Sequence, residues 1–417
     1  MSSLHYTKKI IDTLESTPNC KLLIVPDDLL QSSLSAMGEC DDGKDIVQHM
    51  IIIEEEGKKE LIIDKSMIKL VFKECCPVIK DQLTSNNEDF MFLATKGIML
   101  ILNEHITVIN RHQDILLSKL HGNTEESTAI LRHEINLLRS LLTSNNPKIN
   151  KSSSLWTLFK KLYTHILSLD PSNQPRITAN INELFISTVL QSAKSHTNNY
   201  YAWLAMKFLI QVTQIMKDLE TLQTIKDTIW RYTQHHINES AAWDCFVSSY
   251  IFNIDSMNCV VEECLNWEPG CSLTRRTELA VISDEILDKA YQQCSGLKQW
   301  ILKSQISTSV VPYEAFKNLV CWCHRYSKFH SKPQEYLNKV IELMRFSREN
   351  LLSLAGDEVP SSLELSSINV KNGYYIDQHG VNVFERLESK DLSQRELTMV
   401  YCHWLRLSTF FDKFYTI

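Results

Sequence analysis

Three side chains able to hold a metal sit within four residues in Cys321-Trp322-Cys323-His324, and Cys259, Cys264 and Cys271 follow one another with four and six residues between them. Structural zinc asks for tetrahedral ligands, usually delivered by paired knuckles, and neither set supplies a CxxC at two knuckles. Adjacent residues on a helix also point in different directions. Buried free thiols are therefore the expectation, with a metal site as the alternative. His235-His236 combine ligand chemistry with titration near neutrality, yet a place beside Asn238 fits hydrogen bonding to the free carbonyls of a helix end. The chain has no phosphate-cradling glycine loop, no Gly-x-Ser-x-Gly elbow and no HExxH helix, so independent catalysis is not expected.

The 417 residues are 44% hydrophobic and 22% charged with only 10 Gly and 10 Pro, a composition that disfavours disorder, collagen-like repeats and loop-rich all-β folds. With 43 Lys and Arg against 50 Asp and Glu, a net charge of -7 gives no general attraction to nucleic acid or anionic membranes. The most apolar stretch, Met91 to Leu102, is interrupted by Lys96 and falls short of the ~20 residues of a spanning helix, so no transmembrane segment is expected. The start, MSSLHYTKKIIDTLE, lacks the apolar core of a secretory signal. A cytoplasmic location follows, with the twelve cysteines reduced, and Asn150-Lys151-Ser152 and Asn238-Glu239-Ser240 are chance matches to a glycosylation signal.

Residues 1–89 read as a mixed α/β region. Lys21 to Val25 is a short apolar run ended by Pro26, Met50 to Ile53 and Leu61 to Ile63 flank a polar turn containing Gly57, and a helix is predicted from Lys65 to about Lys73. From 90 to 255 apolar residues recur at three and four: Leu131, Ile135, Leu138, Leu142; Leu155, Leu158, Leu162, Ile166; Leu222, Ile225, Ile229. Short polar breaks at Asn145-Asn146-Pro147, 170–173 and Thr197-Asn198-Asn199 join these helices into hairpins. Residues 256–417 continue with helices predicted at Ser283–Gln293, Glu314–His324 and Gln334–Asn350. A polar stretch over 356–367, a strand pair around Asn372-Gly373 and an aromatic-rich helix from Ser393 to Phe414 complete the chain; Trp404, Phe410, Phe411, Phe414 and Tyr415 are expected to dock on the solenoid, with partner binding as the alternative.

The hairpins repeat. Trp156, Trp203 and Trp243 each stand near the start of a second helix, 47 and 40 residues apart, and 47 residues before Trp156 lies Ile109, where the indole has been lost. Two-helix units of this length, longer than the ~34 residues of tetratricopeptide repeats, bury their faces only by stacking, which predicts an α-solenoid of antiparallel helical hairpins. Packing accounts for the indoles. The Asn and Ser residues two to five positions earlier fit helix N-caps.

The arrangement resembles the protein prenyltransferase α-subunit repeat, an Asn often followed by Pro or Tyr, then Trp, then commonly His-Arg. The matching residues are Asn103, Ile109 and Arg111 in the first copy, Asn146-Pro147-Lys148 with Trp156 in the second, Asn199, Tyr200 and Trp203 in the third, and Asn238 and Trp243 in the fourth. The stretch with Trp230, His235-His236 and Ser240 is most similar to the prenyltransferase α-subunit repeat-containing proteins.

The resemblance implies a mainly α fold, a right-handed superhelix of hairpins with a small mixed N-terminal region. It implies as partner a prenyltransferase β subunit that carries zinc, with no cofactor on this chain. Isoprenoid diphosphate and acceptor protein would be engaged through that complex, with geranylgeranyl transfer to a protein cysteine as the expected reaction. Lys151, five residues before Trp156, and Tyr200, three before Trp203, occupy the family's catalytic positions at the departing diphosphate; Lys148 matches the same lysine if three residues were inserted. The His-Arg pair is replaced after the later tryptophans by Leu158-Phe159-Lys160, Ala205-Met206-Lys207 and Cys245-Phe246, with only Arg111 and His112 remaining in the first copy, and an Arg fork is not interchangeable with an ammonium or a phenyl ring. A non-catalytic α-solenoid adaptor is the alternative reading.

Overall fold

The computed structural model describes residues 4–27, 29–30, 49–55, 58–80, 87–120, 124–168, 175–268, 273, 282–345, 367–371, 374–383 and 392–415. The chain divides into two compact units, one of Met1–Val212 with Cys259–Thr274 and one of Thr213–Asn258 with Arg275–Ile417. Helix dominates the described residues of both.

The first unit opens with helix α1 (His5–Ser16) and strand β1 (Lys21–Val25), followed by the hairpin β2 (Met50–Glu55) and β3 (Lys58–Asp64). Antiparallel pairing runs from Met50↔Ile63 to Glu55↔Lys58, the hairpin read from the two apolar runs; Gly57 lies outside the described residues. The same β3 pairs in parallel with β1, giving the order β1-β3-β2, and Leu22, Leu61 and Ile63 are buried. Asn145 meets the backbone of β1, taking the Ile24 N–H at 2.8 Å and giving an N–H to the Ile24 carbonyl at 3.2 Å.

Helix α2 (Lys65–Lys80) runs past the expected end near Lys73 and contains Pro77. It forgoes one backbone bond there, but Met67, Val71, Cys75 and Val78 keep a continuous buried stripe. Asp64 begins the helix by accepting the Met67 N–H at 2.8 Å, while Glu74 accepts the Tyr6 and Thr7 N–H groups that α1 leaves free at its start. Helix α3 (Glu88–Ile101) is capped by Asn87 and packs closely on α1 and α2 at Gly97. A Cβ there would stand 2.5 Å from Cys75 Sγ and 2.7 Å from Thr7 Cγ2.

Hairpins then follow: α4 (Ile106–Leu120), α5 (Thr124–Leu142), a single turn α6 (Pro147–Asn150), α7 (Ser153–Ser168), α8 (Pro175–Ser195), α9 (Tyr200–Met216) and α12 (Ile254–Trp267), whose first residues and the end of α9 fall in the second unit. An aromatic core of Phe159, Tyr163, Phe185 and Phe208 fills the space among α7, α8 and α9, with ring centroids 4.8–6.5 Å apart.

The second unit holds α10 (Leu219–His235), α11 (Ser240–Tyr250), α13 (Asp284–Ser304), α14 (Val311–Tyr326), α15 (Pro333–Met344) and α16 (Leu392–Tyr415). Helix α13 extends well past Gln293 because Leu287, Ala290, Cys294, Leu297 and Ile301 sustain its buried stripe until Gln305 turns left-handed at φ 43°. Strands β4 (Asn369–Lys371) and β5 (Tyr374–Ile376) pair antiparallel around Asn372-Gly373, which lie outside the described residues, as does the polar stretch through residue 366. In the last helix Trp404 and Phe411 are buried within the second unit, with Trp404 edge-on to Tyr313 at 5.1 Å, while Phe410 remains partly exposed and the side chains of Phe414 and Tyr415 lie outside the described residues.

Candidate functional site

The residue four positions before each recurring large apolar position sits at the turn into the helix: His105, Ser152, Asn199 and Glu239 precede Ile109, Trp156, Trp203 and Trp243. Ser152 Oγ accepts the Leu155 N–H at 3.2 Å and Asn199 Oδ1 the Ala202 N–H at 3.3 Å, two N-caps. His105 Nδ1 faces the Val108 N–H at 3.4 Å. In the fourth copy the cap position falls on Glu239, one residue after the expected Asn238, which is exposed; Glu239 makes no side-chain cap and instead accepts the Tyr232 hydroxyl at 2.8 Å.

The indole N–H reaches back six residues. Trp156 Nε1 donates to the Asn150 carbonyl at 2.9 Å and Trp243 Nε1 to the Ile237 carbonyl at 3.0 Å, closing the turn that enters the helix. The indoles are buried, so the packing reading holds. Carbonyls at that same register then accept the cap side chain of a later hairpin. Ser152 Oγ donates to Asn103 O at 2.9 Å and Asn199 Nδ2 to Asn150 O at 3.3 Å; in the second unit Ser309 Oγ donates to Ile237 O at 3.3 Å. His403 Nε2 lies 3.2 Å from Ser307 O, six residues before the buried Tyr313. Tyr313, four residues after Ser309, thus occupies the tryptophan position of a further hairpin, α13–α14. Sequence reading missed it because the ring is a phenol and the spacing from Trp243 is 70 residues.

Lys151 and Tyr200 are brought together by this scheme. Asn199 Nδ2 also donates to Asn150 Oδ1 at 2.6 Å and to Ser192 Oγ at 2.9 Å, and Asn150 Nδ2 caps the last carbonyl of α5 at 2.7 Å. This buried pair of asparagines ties the start of α9 to the end of α6, so their chain neighbours Tyr200 and Lys151 share one edge of the first unit. Lys151 Nζ donates to Thr197 O at 3.2 Å, three residues before Tyr200, and Asn198 makes the intervening turn with φ 57°. Tyr200 is 57% exposed and meets Tyr201 edge-on. Lys148 is exposed on the same short turn, where its backbone N–H is capped by Asn146 at 3.0 Å. Glu104 accepts the Ser153 and Ser154 hydroxyls at 3.0 and 2.6 Å; the little burial it has works against ionisation, but these donors prevail and lower its pKa.

The remaining expected residues serve the frame. Asn103 and Ile109 are buried, and Arg111 is exposed beside the fully buried His112. His112 belongs to a charged cluster no sequence motif announced. Its Nε2 faces Glu134 Oε2 at 3.3 Å, its Nδ1 faces Thr95 Oγ1 at 2.9 Å, and its ring stacks on Phe92 at 4.8 Å. Lys96 lies between Glu134, at 2.9 Å, and Glu15. Burial alone would raise the Glu134 carboxyl, yet Lys96 and His112 overcome it and hold the pKa at about 2. Burial raises Glu15, against the pull of Lys96. Burial likewise opposes the Lys96 charge, but the two carboxylates prevail and raise its pKa.

A cleft of about 790 Å³ opens above this cluster, walled by residues of both signs, Lys8 and Lys119 against Asp12 and Glu126. Lys148, Lys151 and Tyr200 are not among its walls.

His235 and His236 behave as helix-end residues: His235 Nδ1 lies 2.8 Å from the Arg231 carbonyl and His236 stacks on Tyr232. Cys321-Trp322-Cys323-His324 lies within α14, and Cys323 is buried; Cys271 is outside the described residues. No group of three or more His, Cys, Asp or Glu able to hold a metal occurs among the described residues, and no helix there is long and apolar enough to cross a membrane.

Comparison with known proteins gives two adjoining matches. Residues 2–143 match the ECM9 N-terminal domain and residues 155–265 the ECM9 middle domain. Protein ECM9 of Saccharomyces cerevisiae (strain ATCC 204508 / S288c) is 31% identical over 193 residues, 44% of this chain and 47% of that protein. The chain therefore spans about half the length of the curated relative it matches. Through two domains in the same order, and through identity to the yeast protein, this chain resembles ECM9.

Proposed function

We propose that this chain is the α-type subunit of a heterodimeric protein prenyltransferase, transferring a geranylgeranyl group to a protein cysteine. The observation that carries the reading is the Asn150–Asn199 pair, which holds a lysine and a tyrosine from successive hairpins on one exposed edge. In that reaction a thiolate attacks C1 of the isoprenoid diphosphate, the C1–O bond breaks, and negative charge builds on the departing diphosphate. Zinc on a partner β subunit would lower the pKa of the acceptor cysteine and so favour its thiolate. Lys151 spends one of its three N–H donors on Thr197 and keeps two for an anion, while the exposed Tyr200 phenol provides a neutral donor beside it. Donors aimed at developing charge lower the barrier. Tyr200 is exposed and Lys151 half-buried, so the reading requires a second protein to exclude water and complete the pocket.

The replaced His-Arg positions favour a rebuilt frame. Leu158, Phe159, Ala205, Met206, Cys245 and Phe246 are all buried, with Phe159 stacked on Phe185 at 4.8 Å and Phe246 near Trp230 at 5.3 Å. Apolar packing thus takes over where polar inter-repeat contacts stand in the family. The same change suits a non-catalytic helical adaptor, and kinetics separate the two readings. Tyr200→Phe and Lys151→Ala are each expected to slow isoprenoid transfer ~100- to 1,000-fold, the range for loss of one charge-stabilising donor, while the heterodimer stays intact. Unchanged rates in both variants would remove the catalytic role and leave the adaptor.

A further inference from the structure

Helices α13 and α14 pack against each other in the second unit, and on their seam Cys294 Sγ and Cys323 Sγ lie 3.8 Å apart. Both side chains are fully buried. That distance is non-bonded contact between two thiols, and a disulfide of ~2.05 Å forms from it by a small approach of facing side chains. Other buried cysteines face different chemistry: Cys75 meets Thr7 Oγ1 at 3.2 Å and Cys264 meets Thr164 Oγ1 at 3.5 Å.

The two sulfurs are not equivalent. Hydrogen bonding from Cys294 lowers the Cys323 pKa against the effect of burial, while burial raises that of Cys294. One thiol is thus prepared to attack and its neighbour to resolve the product.

We propose that Cys294 and Cys323 form a redox-responsive pair that closes to a disulfide when hydrogen peroxide reaches the seam, clamping α13 to α14. The Cys323 thiolate attacks one peroxide oxygen; the O–O bond breaks, the sulfur is oxidised by two electrons to a sulfenic acid, and the departing hydroxide takes up a proton to become water. Cys294 then attacks the sulfenic sulfur as its own proton leaves. The S–O bond breaks, and hydroxide with that proton makes a second water. Two thiols and one peroxide give one disulfide and two waters, and a dithiol reductant reverses the change. Peroxide suits a buried seam because it is small and uncharged.

The test treats the full chain with graded hydrogen peroxide under native conditions, followed by intact-mass measurement and peptide mapping. The expected result is the loss of two hydrogens, a linked peptide pair joining Cys294 to Cys323, recovery with dithiothreitol, and a higher Tm of the linked form, since the bridge restricts the unfolded chain. Cys321→Ser should keep the bridge. Cys294→Ser should leave a sulfenic acid at Cys323 that dimedone captures. The proposal is overturned if no Cys294–Cys323 link forms at peroxide levels that oxidise the exposed Cys259, if the link runs through Cys321, or if it forms only in denaturant.

Discussion

Glu134 carries the clearest pH signature in the chain. Its folded pKa is depressed to about 2, below the ordinary ~4.3 of a glutamate, so its stabilising contribution is present above that ordinary value and is lost as pH falls through about 2. A shift of that size corresponds to roughly 3 kcal/mol. Glu15, shifted upward, opposes folding in its ionised form and so does not share this acid limb. Glu134→Gln is expected to lower Tm at neutral pH by leaving Lys96 short of a buried partner, a loss of about 3–5 kcal/mol. It should also flatten the fall in stability between about pH 4.5 and 2, the window set by the two pKa values. Thermal melts of both proteins across that range check it, and parallel curves would refute the assignment. None of this was legible in the sequence. Lys96 reads as an interruption in an apolar run and Glu134 as a helix-surface charge, because nothing local shows that α1, α3, α4 and α5 converge on them.

At the scale of elements, periodicity named most helices and the hairpin of β2 with β3, since amphipathic stripes and alternation are properties of a single segment. Ends were harder. The helix expected to end near Lys73 runs on through Pro77 to Lys80 because its buried stripe continues, and α13 runs past Gln293 because its stripe continues under α14. The parallel pairing of β1 with β3 was also hidden, as no turn signal joins them. The buried asparagine pair is where element and site meet. Asn199→Ala removes an N-cap and strands Asn150 Oδ1, and should cost about 2–3 kcal/mol by denaturant titration. It should also weaken transfer if Lys151 and Tyr200 act as proposed. Gly97→Ala tests the contact of α3 with α1 and α2. Helix propensity alone favours Ala by ~1 kcal/mol. The added methyl meets Cys75 and Thr7 far inside van der Waals contact, so a net loss of about 1–3 kcal/mol is expected. A more stable Gly97→Ala protein would mean that the three helices separate more readily than their packing indicates.

For the whole molecule, the buried aromatic positions share more than the tryptophans alone provided: in both units a carbonyl six residues before the position meets a polar side chain from a later segment, and this extends to Tyr313, where composition gave no hint. The proposed catalytic reading rests on the half-buried Lys151, the exposed Tyr200 and the family resemblance. The most direct measurement is co-expression with each available prenyltransferase β subunit, followed by size-exclusion chromatography and mass determination of the complex. The expected result is a stable 1:1 heterodimer with at least one β subunit, active in geranylgeranyl transfer and slowed by Tyr200→Phe. A chain that remains alone with every β subunit would contradict it.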